Sequence, residues 1–510
     1  MRFHGESSRE RYDAIVVGSG IGGLTAAALL ARSGRAVLVV ERHDRVGGYA
    51  HSFRRGPYLF DSAVHMVGGC RAVPYEGGAV VHQLLSGLGI ENRCRFEALD
   101  PVYRAVYPDL VLQAAPDLEE FVRALGREFP SEEKGLRELV QECLNIRQET
   151  HRAALLGGPY EVMRAPGRFP TLLRYRRATL EDVLDAHLES PRAKAALASL
   201  WPYLGLPPSQ ASFLYFATML LSYVADRAYS CRGGFQRFAE VLAAVVQERG
   251  GEILLRNVVR RITTEAGRAR GIVLENGQRI QAPVVVAAGD ARQALTELVG
   301  EQALPARLCA SLRRLRPSTS AFVTYLATDL PFDSASTCHE TFFYDGWDHE
   351  AAWQSSLRLE PSWFSMTVPT LADPTLAPAG QHLVVLTTLV PYFAPKGWRA
   401  EKQRVAEQLL ALAETRVAGL RESVRFSESA TPRTMERYTR ASEGAIYGWE
   451  LSPGQVGPGR LAQRTPIEGL FLAGHWTQPG GGIYGVVYSG IEAARLALGH
   501  VSEEALFASL

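Results

Sequence analysis

The chain has 510 residues, 46% of them hydrophobic and 21% charged, a globular balance that excludes a disordered protein. At roughly 100–200 residues per core, this length predicts two or three closely packed domains. Its 55 Lys+Arg and 54 Asp+Glu leave a net charge of +1, which argues against a dedicated nucleic-acid binder and supplies no overall charge for anionic lipid.

Residues 12–17 form a short β-rich run, followed at once by Gly18-Ser19-Gly20-Ile21-Gly22-Gly23. Residues 24–33 read as an alanine- and leucine-rich helix stopped by Gly34, and 36–40 as a second buried strand ending at Glu41. This β-turn-α-β unit opens a doubly wound α/β domain. Within it, Gly18 allows the tight turn, Gly20 lets a pyrophosphate approach the backbone, and Gly23 lets helix and strand pack closely. The helix start at Ile21 and Gly22 offers N–H groups and partial positive charge to a diphosphate. Glu41 is placed to accept hydrogen bonds from ribose hydroxyls, which disfavours a 2′-phosphate. A glycine-rich turn without any ligand is the plainer alternative.

From 117 to 225 the apolar spacing turns helical, at 118–125, 132–146, 180–188, 192–201 and 210–223. Breaks fall at Pro130, Gly157-Gly158-Pro159, Pro166, Pro170 and Pro207-Pro208, so a mainly helical insertion is predicted. Its most apolar run, 213–225, is about 13 residues, short of the roughly 20 that span a bilayer. It reads as a buried core helix, with tunnel lining or membrane contact as alternatives. Residues 170–177 are basic and amphipathic, fitting a solvated face or a rest on anionic lipid. Beyond Gly233-Gly234 come a helix at 234–249, strands at 252–255, 259–264, 270–274 and 284–287, and an Asn276-Gly277 hairpin turn. Strands at 320–326 and 382–389, a helix at 404–417, a strand at 470–473 and a helix at 483–498 complete the chain. A nucleotide-binding layer built from 1–110, 229–300 and 431–510 is therefore expected. It is interrupted by a helical substrate or cap insertion at 111–228 and a substrate-binding piece at 301–430.

Lys134, Lys194, Lys396 and Lys402 are the only lysines, an arginine bias that points to a GC-rich bacterial genome. The six cysteines, Cys70, Cys94, Cys143, Cys231, Cys309 and Cys338, lack metal-ligand or CxxC spacing. They read as reduced thiols of a cytoplasmic protein, with no metal site expected. The N-terminus is polar and charged, so no signal peptide is expected. A peripheral membrane contact stays open.

Arg42-His43-Asp44-Arg45-Val46-Gly47-Gly48 resembles the extended fingerprint of the flavin-dependent amine oxidase and phytoene desaturase superfamily. Asn257-Val258-Val259-Arg260-Arg261-Ile262 resembles that superfamily's adenine-contacting strand, with Val259 in the contacting register. Leu470-Phe471-Leu472-Ala473-Gly474-His475-Trp476-Thr477, followed by Pro479-Gly480-Gly481-Gly482-Ile483-Tyr484-Gly485-Val486, is similar to its C-terminal flavin motif. The resemblance implies FAD as cofactor. It would be held by Gly18, Gly20, Ile21, Gly22, Gly23, Glu41, Arg42, Gly47, Gly48, Tyr49, Val259, Gly474, His475, Gly482, Tyr484, Gly485 and Val486. The implied fold is α/β, with a Rossmann-like discontinuous FAD-binding domain, a mixed-sheet substrate domain and a mainly helical insertion.

Phe60-Asp61-Ser62-Ala63-Val64-His65-Met66-Val67-Gly68-Gly69, Phe129-Pro130-Ser131-Glu132 and Trp201-Pro202-Tyr203-Leu204-Gly205-Leu206-Pro207-Pro208 look closer to the carotenoid isomerase and retinol saturase branch. Cys231-Arg232-Gly233-Gly234-Phe235 resembles the family's return into the flavin domain. Amine oxidases match less well: Tyr49 stands where they carry arginine, and their flavin-side lysine has no counterpart among four lysines. Tyr447, Trp449, Trp476 and Tyr484 would form either an aromatic cage or plain packing near the flavin. The resemblance thus implies an oxidoreductase acting on carbon–carbon bonds of a long apolar, polyene-like small molecule, by desaturation, saturation or isomerisation. His65, Tyr484 and Glu450 are the catalytic candidates. Against them stand a structural histidine, a packing phenol and a solvated surface carboxylate. The rivals are an amine oxidase releasing hydrogen peroxide, a non-catalytic lipid-binding relative like the prenyl-protein escort proteins, and a nicotinamide dehydrogenase. The last leaves the C-terminal motif unexplained, and no oligomeric state follows from the residues.

Overall fold

The computed structural model describes residues 2–3, 5–73, 78–155, 162, 164–332 and 337–510. The valine-rich runs of the opening unit become strands Ala14–Val17 and Val37–Val40, whose continuous apolar character suits the centre of a parallel sheet. That sheet has six strands, all parallel, in the order Arg2–Phe3, Glu252–Leu255, Val37–Val40, Ala14–Val17, Val284–Ala287 and Leu470–Leu472. Three distant stretches of chain thus build one doubly wound layer. Its first helix, Ile21–Arg32, packs against both Gln236–Glu248 and Gly482–Leu498. It begins before the predicted 24 because tertiary packing carries Gly22 and Gly23 into the helix despite their poor propensity.

A second sheet has seven strands, in the order Val424–Ala430, Ser320–Thr328, His382–Val390, Trp363–Thr367, Glu340–Tyr344, Tyr103–Tyr107 and Leu110–Ala114. Its neighbours are antiparallel except Glu340–Tyr344 beside Tyr103–Tyr107, so the sheet is mixed. Phe322, Phe343, Phe364 and Leu386 form its outer face, packed under the helix Trp398–Glu414. The alternate residues form the inner face. Glu340–Tyr344 and Trp363–Thr367 are buried at every position, so no in–out alternation betrays them in the sequence.

Helices Leu118–Glu128, Glu133–Leu155, Leu180–His187, Pro191–Leu197 and Phe213–Val224 cover the inner face. Pro130 and Pro166 open short turns of helix, whereas the break expected at Gly157-Gly158-Pro159 lies outside the described residues. Two buried carboxylates close this layer. Glu132 accepts from the amides of Glu189 and Ser190 at 3.1 and 2.6 Å, and Glu149 from those of Thr171 and Leu172 at 3.1 and 2.9 Å. Each satisfies orphan N–H groups at a helix start, so Pro170–Tyr175 is tied down to its neighbour. Among the described residues no helix is long and apolar enough to cross a membrane.

Candidate functional site

A cavity of about 810 Å³ runs from the C-terminal ends of the parallel strands to the inner face of the seven-stranded sheet. Gly18, Gly20, Ile21 and Gly22 line its first end. Gly20 caps the helix Ile21–Arg32 without a side-chain hydrogen bond, and a Cβ added there would meet nothing within 4 Å. The first-turn N–H groups therefore face open space, with the positive end of the helix dipole behind them. Gly23 lies behind the loop, where a Cβ would collide with the Gly18 carbonyl oxygen. A second helix start faces the same cavity: Gly481 caps Gly482–Leu498, again with no side-chain bond. Gly474, Gly482, Tyr484, Gly485 and Val486 line this part. Two uncapped helix starts on one cavity fit a ligand carrying a diphosphate and a ring that takes up negative charge, as FAD does.

Glu41 leaves the end of Val37–Val40, and its carboxylate is held from behind. Ser19 donates to it through N and Oγ, both at 2.8 Å, and the His43 amide donates at 2.8 Å. Arg42, Gly47, Gly48, Tyr49 and Val259 also line this end. Arg42 donates to the Arg437 carbonyl at 3.1 Å, and the Tyr49 hydroxyl to the Ala445 carbonyl at 3.0 Å.

His65, His475, Trp476, Tyr447 and Tyr484 also line the cavity. Burial, with the neighbouring His339, lowers the His65 imidazole to about 3. Burial and the Arg460 charge lower His475 to about 3, so both rings are neutral near pH 7. Burial raises the Tyr484 phenol, which stays protonated. Arg460 is a residue that sequence reasoning passed over. Buried, it donates to the carbonyls of Tyr447, Trp449 and Thr477 at 2.9, 3.1 and 3.0 Å and to that of His475. It thereby fixes the loop carrying these aromatics, and in an arginine-rich chain no local signal marks it.

One expectation needs correction, and two alternatives that the sequence leaves open are decided. Glu450 does not line the cavity; it pairs with Arg316 at 3.1 Å, and at 17% side-chain exposure it is not an open surface carboxylate either. Trp449 is buried behind Trp476, with ring centroids 4.7 Å apart and edge-on, so it forms no part of the cavity wall. The helix Phe213–Val224 is more than core: Phe213, Phe216 and Leu220 pack inward, while Tyr215, Thr218, Met219, Ser222 and Tyr223 line the cavity. None of the four lysines reaches it.

Residues 21–498 match the family described as flavin containing amine oxidoreductase. The chain is 26% identical over 522 residues to prolycopene isomerase 1, chloroplastic, of an Oncidium hybrid cultivar, covering 95% of this chain and 83% of that protein. It is 27% identical over 514 residues to all-trans-retinol 13,14-reductase of Rattus norvegicus, covering 91% of this chain and 82% of that one. Cyclohexylamine oxidase from Brevibacterium oxydans shares the fold, with a TM-score of 0.62 at 18% identity over 97% of this chain and 99% of its own. The family match extends from the first uncapped helix start through the second, and the chain belongs to the flavin-containing amine oxidoreductases as an FAD-dependent oxidoreductase.

Proposed function

We propose that this enzyme acts on a carbon–carbon bond of a long apolar polyene, by desaturation, saturation or cis–trans isomerisation. One observation carries the reading. Among the described residues, the charged side chains lining the cavity, such as Glu41, Arg42, Glu275, Asp290 and Arg440, lie toward Glu41, Tyr49 and Val259. The half beyond His65 is walled by Met66, Tyr215, Met219, Tyr223, Trp363 and Leu389, and among the described residues no carboxylate lines it, Glu340 standing behind the wall. An ammonium group entering it would lose its hydration without an anionic partner, whereas an apolar chain loses nothing. The names of the two curated relatives, a prolycopene isomerase and an all-trans-retinol reductase, agree with this.

When bound, FAD supplies hydride exchange at one ring position. The chain's own residues do the rest. The amides at Ile21, Gly22 and Gly482 would hold the cofactor's negative charge, Glu41 would accept from ribose hydroxyls, and the Val259 backbone would meet the adenine end. Gly474, His475 and Tyr484 flank the ring site, and the apolar walls exclude water while aligning the substrate carbon. His65 lines the same cavity, but burial holds its imidazole at about 3, so it would serve there as a neutral hydrogen-bonding group rather than as the base that takes a substrate proton. A polyene is insoluble, so a peripheral contact with a bilayer surface supplies it. The test is anaerobic incubation with a panel of polyenes and unsaturated lipids, with flavin oxidised and then pre-reduced. A hydrogen pair lost or gained, matched by flavin bleaching or reoxidation, is expected, or an isomer of unchanged mass formed only with reduced flavin. Flavin bleached by an amine, with every lipid untouched, would overturn the reading.

A further inference from the structure

The inner face of the seven-stranded sheet forms the chamber floor, and where it lines the cavity its polar side chains are Ser365 and Thr387. Ser365 stands beside Thr387 in register, and Glu340 stands beside Thr367 two residues along the sheet. Glu340 is 0% exposed. The Thr367 hydroxyl donates to its Oε2 at 2.6 Å, and the Tyr203 and Ser365 hydroxyls also lie against the carboxyl. Thr387 Oγ1 is buried and has no hydrogen-bond partner among the described residues. From the opposite wall Tyr203 meets Phe342 edge-on, with centroids 5.2 Å apart, and sets its hydroxyl beside the Glu340 carboxyl. Tyr203, Ser365 and Thr387 line the cavity, and Glu340 stands behind them.

Burial holds Glu340 up at about 7, so near neutral pH a large share of it is an uncharged acid that both donates and accepts. Tyr223 and Tyr447 face the same carboxyl, and burial keeps both phenols protonated. A pure hydrocarbon lying on this floor would leave the Thr387 hydroxyl unsatisfied, which buried polar groups rarely tolerate. The geometry points to a polar subsite in which Tyr203, Ser365 and Thr387 hold an uncharged oxygen, a hydroxyl or carbonyl, on an otherwise apolar polyene, with Glu340 positioning the Tyr203 hydroxyl. An ionised end group is disfavoured, because no cation lines this half among the described residues. The inference rests on the polyene reading and narrows its substrate class to oxygenated polyenes.

The experiment is equilibrium binding to the FAD-loaded enzyme, read by quenching of tryptophan fluorescence. Three probes of equal chain length are used: a conjugated hydrocarbon, its terminal alcohol and its terminal carboxylate. The alcohol is expected to bind about tenfold tighter than the hydrocarbon, and the carboxylate more weakly than the alcohol. Thr387→Val and Tyr203→Phe should each remove most of that preference, read as the ratio of alcohol to hydrocarbon affinity. Glu340→Leu should do the same, with Glu340→Gln restoring it; if Glu340→Leu fails to fold, the other two substitutions carry the test. Equal binding of alcohol and hydrocarbon by the natural enzyme would overturn the subsite and leave the polyene reading standing. A preference that survives all three substitutions would overturn the residue assignment. No quenching by any probe would sink the polyene reading, and the subsite with it.

Discussion

His339 and His349 are buried and His65 and His475 largely so, and removal from water lowers their imidazoles from 6.5 to about 3 or about 4. In the unfolded chain the same rings take up protons as pH falls through that ordinary value. Between these limits the unfolded state binds more protons than the folded one, so stability falls on acidification. Each such ring contributes about 1.4 kcal/mol per pH unit across the window. Asp61 and Glu340 oppose this, because burial raises both to about 7 and their contribution is lost as pH rises through that value. His349 isolates the histidine effect, since it lies outside the cavity and bonds the Ala195 carbonyl at 2.9 Å. Urea denaturation of His349→Gln should show it gaining ~1.4 kcal/mol on the natural enzyme per pH unit of acidification below about pH 6. A difference that does not change with pH would mean the ring is charged in the fold.

Among elements, the crossing of Ile21–Arg32 and Gly482–Leu498 places both cofactor-facing helix starts, and it depends on Gly490. A Cβ there would collide with the Gly22 carbonyl oxygen and lie 2.6 Å from Thr25 Cβ. Gly490→Ala should cost about 1–3 kcal/mol in urea denaturation, as overpacking does. It should also release flavin, seen as lost absorbance after gel filtration, because the displaced turn carries the diphosphate-facing amides. Full flavin retention would show that the crossing does not set the cofactor site. Helical spacing over 483–498 is plain in the sequence, yet Gly490 within it reads locally only as a weak point. Its value comes from a partner helix more than 450 residues away in the chain. The strands Glu340–Tyr344 and Trp363–Thr367 were illegible for a related reason: their neighbours bury both faces, which erases the alternation that reveals a strand.

Across the whole molecule, Arg147 of the helix Glu133–Leu155 bonds Asp226, just past Phe213–Val224, at 2.8 and 3.1 Å. Their side chains are 9% and 0% exposed, and Asp226 stays raised by burial despite its partner. The pair locks the chamber roof. Arg147→Ala should therefore cost about 3–5 kcal/mol in urea denaturation, since it strands a buried carboxylate. Arg147→Met with Asp226→Leu should recover most of that loss. If the double substitution is as damaging as the single one, packing rather than charge holds the roof.

The sequence by itself determined the opening β-turn-α-β unit, the loops that would meet a dinucleotide and the motifs that mark the family. These rest on residues close along the chain, where covalent geometry fixes a turn, a helix start and a strand end together. Glu41 is legible because it ends a strand whose register with the first strand is set by one short helix. Only the tertiary structure decided that Glu450 lies away from the cavity, that Phe213–Val224 lines it, and that Arg460 ties down its aromatics. It alone brought Tyr203, Glu340 and Thr387 to one polar patch in an apolar chamber. Such meetings depend on which strands pair and which helices cover them, and that is settled by burial of the whole chain rather than by any local run of residues.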